Sequence, residues 1–193
     1  MTLILASSSP IRRQMLEQAG VPFDSIPADL DEASLKERHR GPAQLATALA
    51  EAKALAVSKS RTSDLVIGSD SVVSVAGTLF GKPVDREEAG SHLRHFSGKP
   101  ITLTSAVALA RGGKPQWKHC DQATLQVRLL SEGFIEEYLD AEWPEVGYCV
   151  GVFRLEGRGV QLFETIEGSF FTILGMPLLP LLAALRERGV MSS

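Results

Sequence analysis

The sequence predicts an α/β fold: a mixed, twisted central sheet flanked by helices. Three observations predict it. Short apolar runs of strand length recur at residues 3–6, 65–75, 101–110 and 123–130. Between them lie segments with helical spacing, such as Leu45, Leu49, Ala52 and Ala56 on one face. Hairpin signals, at Ala76-Gly77 and Gly112-Gly113, add antiparallel pairs to an alternating strand–helix order.

Residues 3–6 read as a buried strand. A helix follows from Pro10 to Ala19, with Ser9 as N-cap, Pro10 at the first helical position and Gly20 as the stop. Residues 21–41 read as irregular, broken by Pro22 and Pro27. A second helix is expected over 42–59. Residues 65–75 form a strand that turns at Ala76-Gly77 into another ending near Phe80. Asp85 and Glu88 make a capping-box pair that opens a helix to about Phe96. Strands at 101–110 and 123–130 form a hairpin around Gly112-Gly113. A helix over 131–142 stops at Pro144, and a glycine-rich stretch leads to a strand at 160–166. The last helix is expected from Pro177 to Gly189. Its surroundings, residues 173–185, are apolar but too short to span a bilayer, and they hold two prolines.

The bulk numbers exclude several classes. With 193 residues, 44% of them hydrophobic and 22% charged, the chain suits one folded domain over 1–193. A net charge of -3, two Trp and two Tyr argue against a nucleic-acid binder. Cys120 and Cys149 have no disulfide or zinc spacing. No basic leader precedes the first strand, so a cytoplasmic location with no membrane partner is expected.

Two constellations carry chemistry. Ser7-Ser8-Ser9-Pro10-Ile11-Arg12-Arg13 places hydroxyls, helix N-terminal N–H groups and two guanidinium forks together, a cradle for phosphate without P-loop glycines. Adjacent helical residues point about 100° apart. One arginine can therefore hold phosphate while the other pairs with a carboxylate. The same stretch also fits an ordinary capped helix with surface arginines. The second constellation is Asp70 within Leu65-Val66-Ile67-Gly68-Ser69-Asp70-Ser71-Val72-Val73, a carboxylate on the face of Val66, Gly68 and Val72. Such a group needs a partner, a metal or a catalytic task, and Gly68 is expected to let a ligand approach the backbone. A strand-end Asp capping a turn is the other reading.

Among the cations, Lys82 in Gly81-Lys82-Pro83 sits in a stiff turn that can aim it. Lys53 edges an apolar helix face, free to snorkel to solvent or to reach a site across that face. Lys99 is a similar turn lysine. Locally, Glu32 reads as part of a solvated acidic loop and Asp85 as an N-cap. The four histidines show no ligand spacing.

Together these motifs resemble the Maf family. Residues 7–13 look like its S-x-S-P-R-R signature, with Ile11 as spacer. Asp31-Glu32, Glu51-Ala52-Lys53-Ala54, Gly68-Ser69-Asp70-Ser71-Val72-Val73 and Gly81-Lys82-Pro83 resemble its acidic pair, K-A helix, G-A-D-T-V-V strand and G-K-P turn. Segments 155–159, 166–169 and 174–177 resemble its C-terminal I-Q-G-x-G, I-x-G-S/D and G-L-P motifs. The ordered match runs from about residue 4 to residue 182. The resemblance implies two lobes around a central cleft, as in inosine-triphosphatase-like folds, and commonly a homodimer. It also implies hydrolysis of a nucleoside triphosphate between its α and β phosphates with Mg²⁺ or another divalent cation. By position, Asp70 would accept a proton from water. Arg13, Lys53 and Lys82 would hold phosphates with Ser8 and Arg12, and Glu32 would share the metal with Asp70.

The base is addressed by residues that depart from one branch of the family. Where the pyrimidine-cutting branch has Gln, this chain has Glu156, and an ionised carboxylate accepts two adjacent N–H groups of guanine. Residues 156–164 resemble the 7-methyl-GTP branch, whereas Ser71, a second substrate-binding candidate, is nearer the Thr of the pyrimidine branch. Pairing of Glu156 with Arg154 or Arg158 is the plainer reading of that carboxylate. A nucleotide-binding regulator of cell division with little turnover is the rival to an enzyme.

Overall fold

Strand and helix periods divide the chain much as the sequence predicts. The computed structural model describes residues 1–39 and 41–192. In order, the elements are β1 (Leu3–Leu5), α1 (Pro10–Gln18), β2 (Asp24–Ser25), α2 (Ala33–Arg38), α3 (Pro42–Ser60), β3 (Leu65–Val75), β4 (Thr78–Phe80), α4 (Arg86–Phe96), β5 (Pro100–Arg111), β6 (Lys114–Val127), α5 (Glu132–Glu142), β7 (Phe163–Glu167), α6 (Phe170–Ile173) and α7 (Leu178–Glu187). The sheet has seven strands in the order β2-β1-β3-β5-β6-β7, with β4 beside β3. It is mixed: β1 pairs in parallel with β2 and β3, while β3–β4 and β6–β7 are antiparallel.

Several expectations needed correction. Residues 21–41 are not wholly irregular, because β2 and α2 form there; both are too short to leave a periodic signal. β6 begins at Lys114 rather than near residue 123, since its first half is polar and carries no apolar alternation. Residues 158–162 form a 3-10 turn, and the strand starts only at Phe163. Ser9 occupies the N-cap of α1 without a side-chain bond; the Ser7 hydroxyl instead accepts from the Ser9 N–H. At α4 the Asp85 carboxylate accepts from the Glu88 N–H, but Glu88 reaches back to the Val84 N–H rather than to that of Asp85.

The chain forms two compact units. The first comprises residues 1–71, 104–121 and 170–193, the second residues 72–103 and 122–169. In the first, Leu3, Leu5, Met15, Leu16, Ile67, Leu109, Leu181 and Leu185 belong to one buried cluster. There α3 lies directly on β3. A Cβ built on Gly68 would stand 2.1 Å from the Ala50 carbonyl oxygen and 2.6 Å from the Ala54 nitrogen. The close approach anticipated at Gly68 is thus made by a helix of the protein itself.

In the second unit Leu93, Phe96, Ile135 and Leu139 are fully buried, and α4 packs on α5. Phe80, which immediately precedes the Gly81-Lys82-Pro83 turn, meets the rings of His92, His95 and Phe96 at centroid distances of 5.1, 5.0 and 4.9 Å. Burial holds the His92 imidazole below the usual histidine range; His95 pushes the same way and Glu88 opposes. Its Nδ1 is buried without a hydrogen-bond partner among the described residues.

Two outcomes follow from this packing. Gly68→Ala should destabilise the chain by about 1–3 kcal/mol in urea unfolding, toward the upper end because the clashing atoms are backbone. Because the unfolded chain protonates His92 more readily than the folded one, stability should be full above the ordinary histidine pKa and fall as the pH drops through it. Unfolding at about pH 7.5 and about pH 5.5 should show that loss in the wild type and a flatter profile in His92→Leu.

Candidate active site

Asp70 lies on β3, two residues beyond Gly68, and is 9% exposed. The contact of α3 with Gly68 brings Lys53 over it. Lys53 Nζ donates to Asp70 Oδ1 at 2.5 Å and stands 2.8 Å from Glu32 Oε1. One ammonium therefore serves two carboxylates that would otherwise repel. Glu32 stands at the N-cap position of α2 without a side-chain capping bond; the preceding Asp31 carboxylate accepts from the Ala33 N–H, and the second Glu32 oxygen meets Lys36 Nζ at 3.0 Å. Burial works against the Glu32 charge, but the hydrogen bonds and charges of Lys53 and Lys36 outweigh it and hold the carboxyl below its usual range. Among the described residues Asp70 Oδ2 accepts no hydrogen bond.

The serine-rich turn after β1 presents a different arrangement. Arg12, in the first turn of α1, folds back onto other elements. Its Nε donates to the Gly175 carbonyl at 2.9 Å, Nη2 to Ser71 Oγ at 3.0 Å and Nη1 to Ser7 Oγ at 3.5 Å. Burial lowers the guanidinium pKa, and the charges of Asp70 and Glu32 oppose that shift. Gly175 has a left-handed φ of 104°, and a Cβ there would lie 3.2 Å from Ser71 Oγ, so its carbonyl can meet Arg12 only without a side chain. Ser71 Oγ also contacts Ser105 Oγ at 2.8 Å, and Ser105 donates to the Thr172 carbonyl at 2.7 Å. These partners hold Arg12 with carbonyls and hydroxyls. None of them neutralises it.

Arg13 points elsewhere, as the helical geometry requires. It is exposed and lines a groove with Glu17, Phe23, Asp24 and Ser25. Ser8 is exposed at the turn, while Ser7 is buried. The first unit thus brings together Asp70, Lys53, Glu32, Arg12 and Ser71, with Ser8 and Arg13 at the margin of the same turn and helix.

Lys82 and Glu156 belong to the second unit. Lys82 is exposed, and its charge acts on Cys149, whose thiol is pushed up in pKa chiefly by burial and then by Glu156, against Arg154 and Lys82. Glu156 is exposed and makes no ion pair among the described residues. Of its two alternative partners, Arg154 is bound instead to Glu142 at 2.9 Å, and Arg158 makes no ion pair among the described residues. Lys99 is exposed in its turn.

Sequence reasoning missed the partners that hold these groups. Ser105, Thr172 and the carbonyl of Gly175 are distant in sequence from Arg12, around which their bonds close, and small polar residues in strands leave no pattern. The motif around Gly175 was visible, but its task of receiving Arg12 was not. Glu142 is buried at the end of α5, where an acidic residue reads as a solvated helix end.

Two carboxylates, Glu32 and Asp70, are the donors that could share a divalent cation here. Among the described residues no group of three or more His, Cys, Asp or Glu gathers for one. Two carboxylates suit Mg²⁺, which keeps water and phosphate oxygens as its other ligands.

Comparison with known proteins covers nearly the whole chain. The family model described as "Maf-like protein" matches residues 2–188. A 7-methyl-GTP pyrophosphatase of Rhizobium meliloti (strain 1021) is 45% identical over 195 residues, taking in 99% of this chain and 98% of that protein. One of Rhizobium etli (strain ATCC 51251 / DSM 11541 / JCM 21823 / NBRC 15573 / CFN 42) is 47% identical, over 97% of this chain and 96% of its own. A nucleoside triphosphate pyrophosphatase of Granulibacter bethesdensis (strain ATCC BAA-1260 / CGDNIH1) is 44% identical over the full length of both. With the family model matching residues 2–188 and relatives 44–47% identical over nearly the whole chain, the chain belongs to the Maf-like protein family.

Proposed function

We propose that this protein is a nucleoside triphosphate pyrophosphatase that cuts the α–β phosphoanhydride to a monophosphate and pyrophosphate, with 7-methyl-GTP as its preferred substrate. The observation that carries the reaction type is the buried Asp70 with one oxygen on Lys53 and the other open. Relatives with both pyrophosphatase names, at about 45% identity over nearly full length, support the same activity.

In this reading a water oxygen bonds to phosphorus of the α–β anhydride, its proton passes to Asp70, and the bridging P–O bond breaks to release pyrophosphate. Arg12 keeps its positive charge beside the turn because its partners are neutral. Lys53, Arg13, Lys82 and the Ser8 hydroxyl are the proposed phosphate donors. Glu32 and Asp70 would hold Mg²⁺, which when bound neutralises phosphate charge. Ser71 supports Arg12 and is kept as a proposed contact to substrate. Residues 1–193 would form one catalytic domain with a cytoplasmic location, and the family resemblance implies a homodimer.

Support for the base comes from Glu156. Its carboxylate is exposed and makes no ion pair among the described residues, so both oxygens can accept from N1–H and N2–H₂ of guanine, and a cationic 7-methylguanine favours it further.

Product-resolved hydrolysis with Mg²⁺ should yield monophosphate plus pyrophosphate. Asp70→Asn should keep nucleotide binding and lose about 10²–10⁴-fold in kcat; nucleotide binding by the wild type with no turnover of any triphosphate would favour a regulator instead. Glu156→Gln should lower the ratio of kcat/KM for 7-methyl-GTP over UTP by about tenfold. An unchanged ratio would remove Glu156 from base selection while leaving the reaction type intact.

A further inference from the structure

Two residues one turn apart on α5 reach the same loop. Tyr138 Oη donates to the Val152 carbonyl at 3.0 Å, and Glu142 Oε2 accepts from Arg154 Nη2 at 2.9 Å. Tyr138 is 3% exposed and Glu142 6%, so neither contact is an ordinary surface pairing. The buried acid is held by its partner, and removing the Arg154 guanidinium would leave the Glu142 carboxylate desolvated and uncompensated.

The loop they reach is tightly wound. Val152 has a left-handed φ of 57°, a conformation that β-branched residues rarely adopt. A Cβ on Gly159 would stand 2.4 Å from the Arg154 carbonyl oxygen, so the chain returns onto the backbone of Arg154. The Gly157 N–H donates to that same carbonyl at 3.2 Å. Glu156 sits inside this turn. Arg154 Nε is buried with no hydrogen-bond partner among the described residues, so Glu142 is the group that holds the guanidinium. The Arg154 pKa is raised first by the hydrogen bond to Glu142, and the charges of Glu142 and Glu156 add to it.

We propose that Tyr138, Glu142 and Arg154 are positioning residues for base selection: they clamp residues 152–159 in the conformation that presents Glu156. The clamp rests on the reading that Glu156 meets the base. Its effect falls on which nucleotide is accepted, and the anhydride cleavage itself is untouched.

The test uses the full chain and steady-state kinetics with 7-methyl-GTP and UTP. Glu142→Gln and Tyr138→Phe should each lower the 7-methyl-GTP to UTP ratio of kcat/KM by about fivefold, mainly through KM, with kcat within about twofold of wild type. Arg154→Lys, which keeps a cation for Glu142, should restore most of the ratio that Arg154→Ala loses. Circular dichroism checks folding; if Glu142→Gln does not fold, Tyr138→Phe decides, because it removes a single hydroxyl. Equal losses on both nucleotides would show a structural role and overturn the clamp. So would an unchanged ratio in Glu142→Gln and Tyr138→Phe while Glu156→Gln changes it, and that result would leave the base reading standing. An unchanged ratio in all three variants would overturn the base reading and the clamp with it.

Discussion

The ammonium of Lys53, shared between Glu32 and Asp70, is the contact on which the first unit's chemistry turns. A carboxylate in the apolar strand β3 is costly unless a charge or hydrogen bonds compensate it. Lys53 supplies both, and it can do so only because α3 rests directly on Gly68. The same contact draws in Glu32 from a short helix far away in sequence. A single close backbone approach thereby sets the spacing of two acids and one base.

The arginine turn solves a different problem. Under the proposed function, a cation that is to meet a polyanion must be held still without being neutralised. Arg12 is fixed by the Gly175 carbonyl and by the hydroxyls of Ser71 and Ser7, all neutral acceptors. The second unit uses the opposite device. There Arg154 pairs with the buried Glu142, and Glu156 keeps a carboxylate with no ion pair among the described residues. In each unit, the side chain left unneutralised is one to which the family resemblance gives a ligand.

Much of the fold was legible because it rests on period and punctuation. α1, α3, α4 and α5, and the strands β3 and β5, fall within a residue or two of where apolar spacing and the caps place them. The misses share a cause. β2 and α2 are too short for a period to show, the first half of β6 is polar, and the 3-10 turn before β7 resembles strand in composition. The candidate site residues were legible as ordered motifs, because unusual residue types stand at set positions: an aspartate in an apolar strand, arginines after serines, a lysine between Gly and Pro.

What the sequence by itself determined, then, was the fold class, the strand that carries Asp70, the turn that carries Arg12 and Arg13, and the membership of a family. These depend on neighbours along the chain. Only the tertiary structure decided that Gly68 receives a helix, that Lys53 turns inward to two acids when it could have snorkelled to solvent, that Arg12 folds onto Gly175 while Arg13 points to a groove, and that Arg154 belongs to Glu142. The hydrogen bonds behind those choices join residues from 12 to 163 positions apart. Side-chain partners at such separation are selected by packing and by the cost of leaving a buried charge alone, and local pattern carries no record of either.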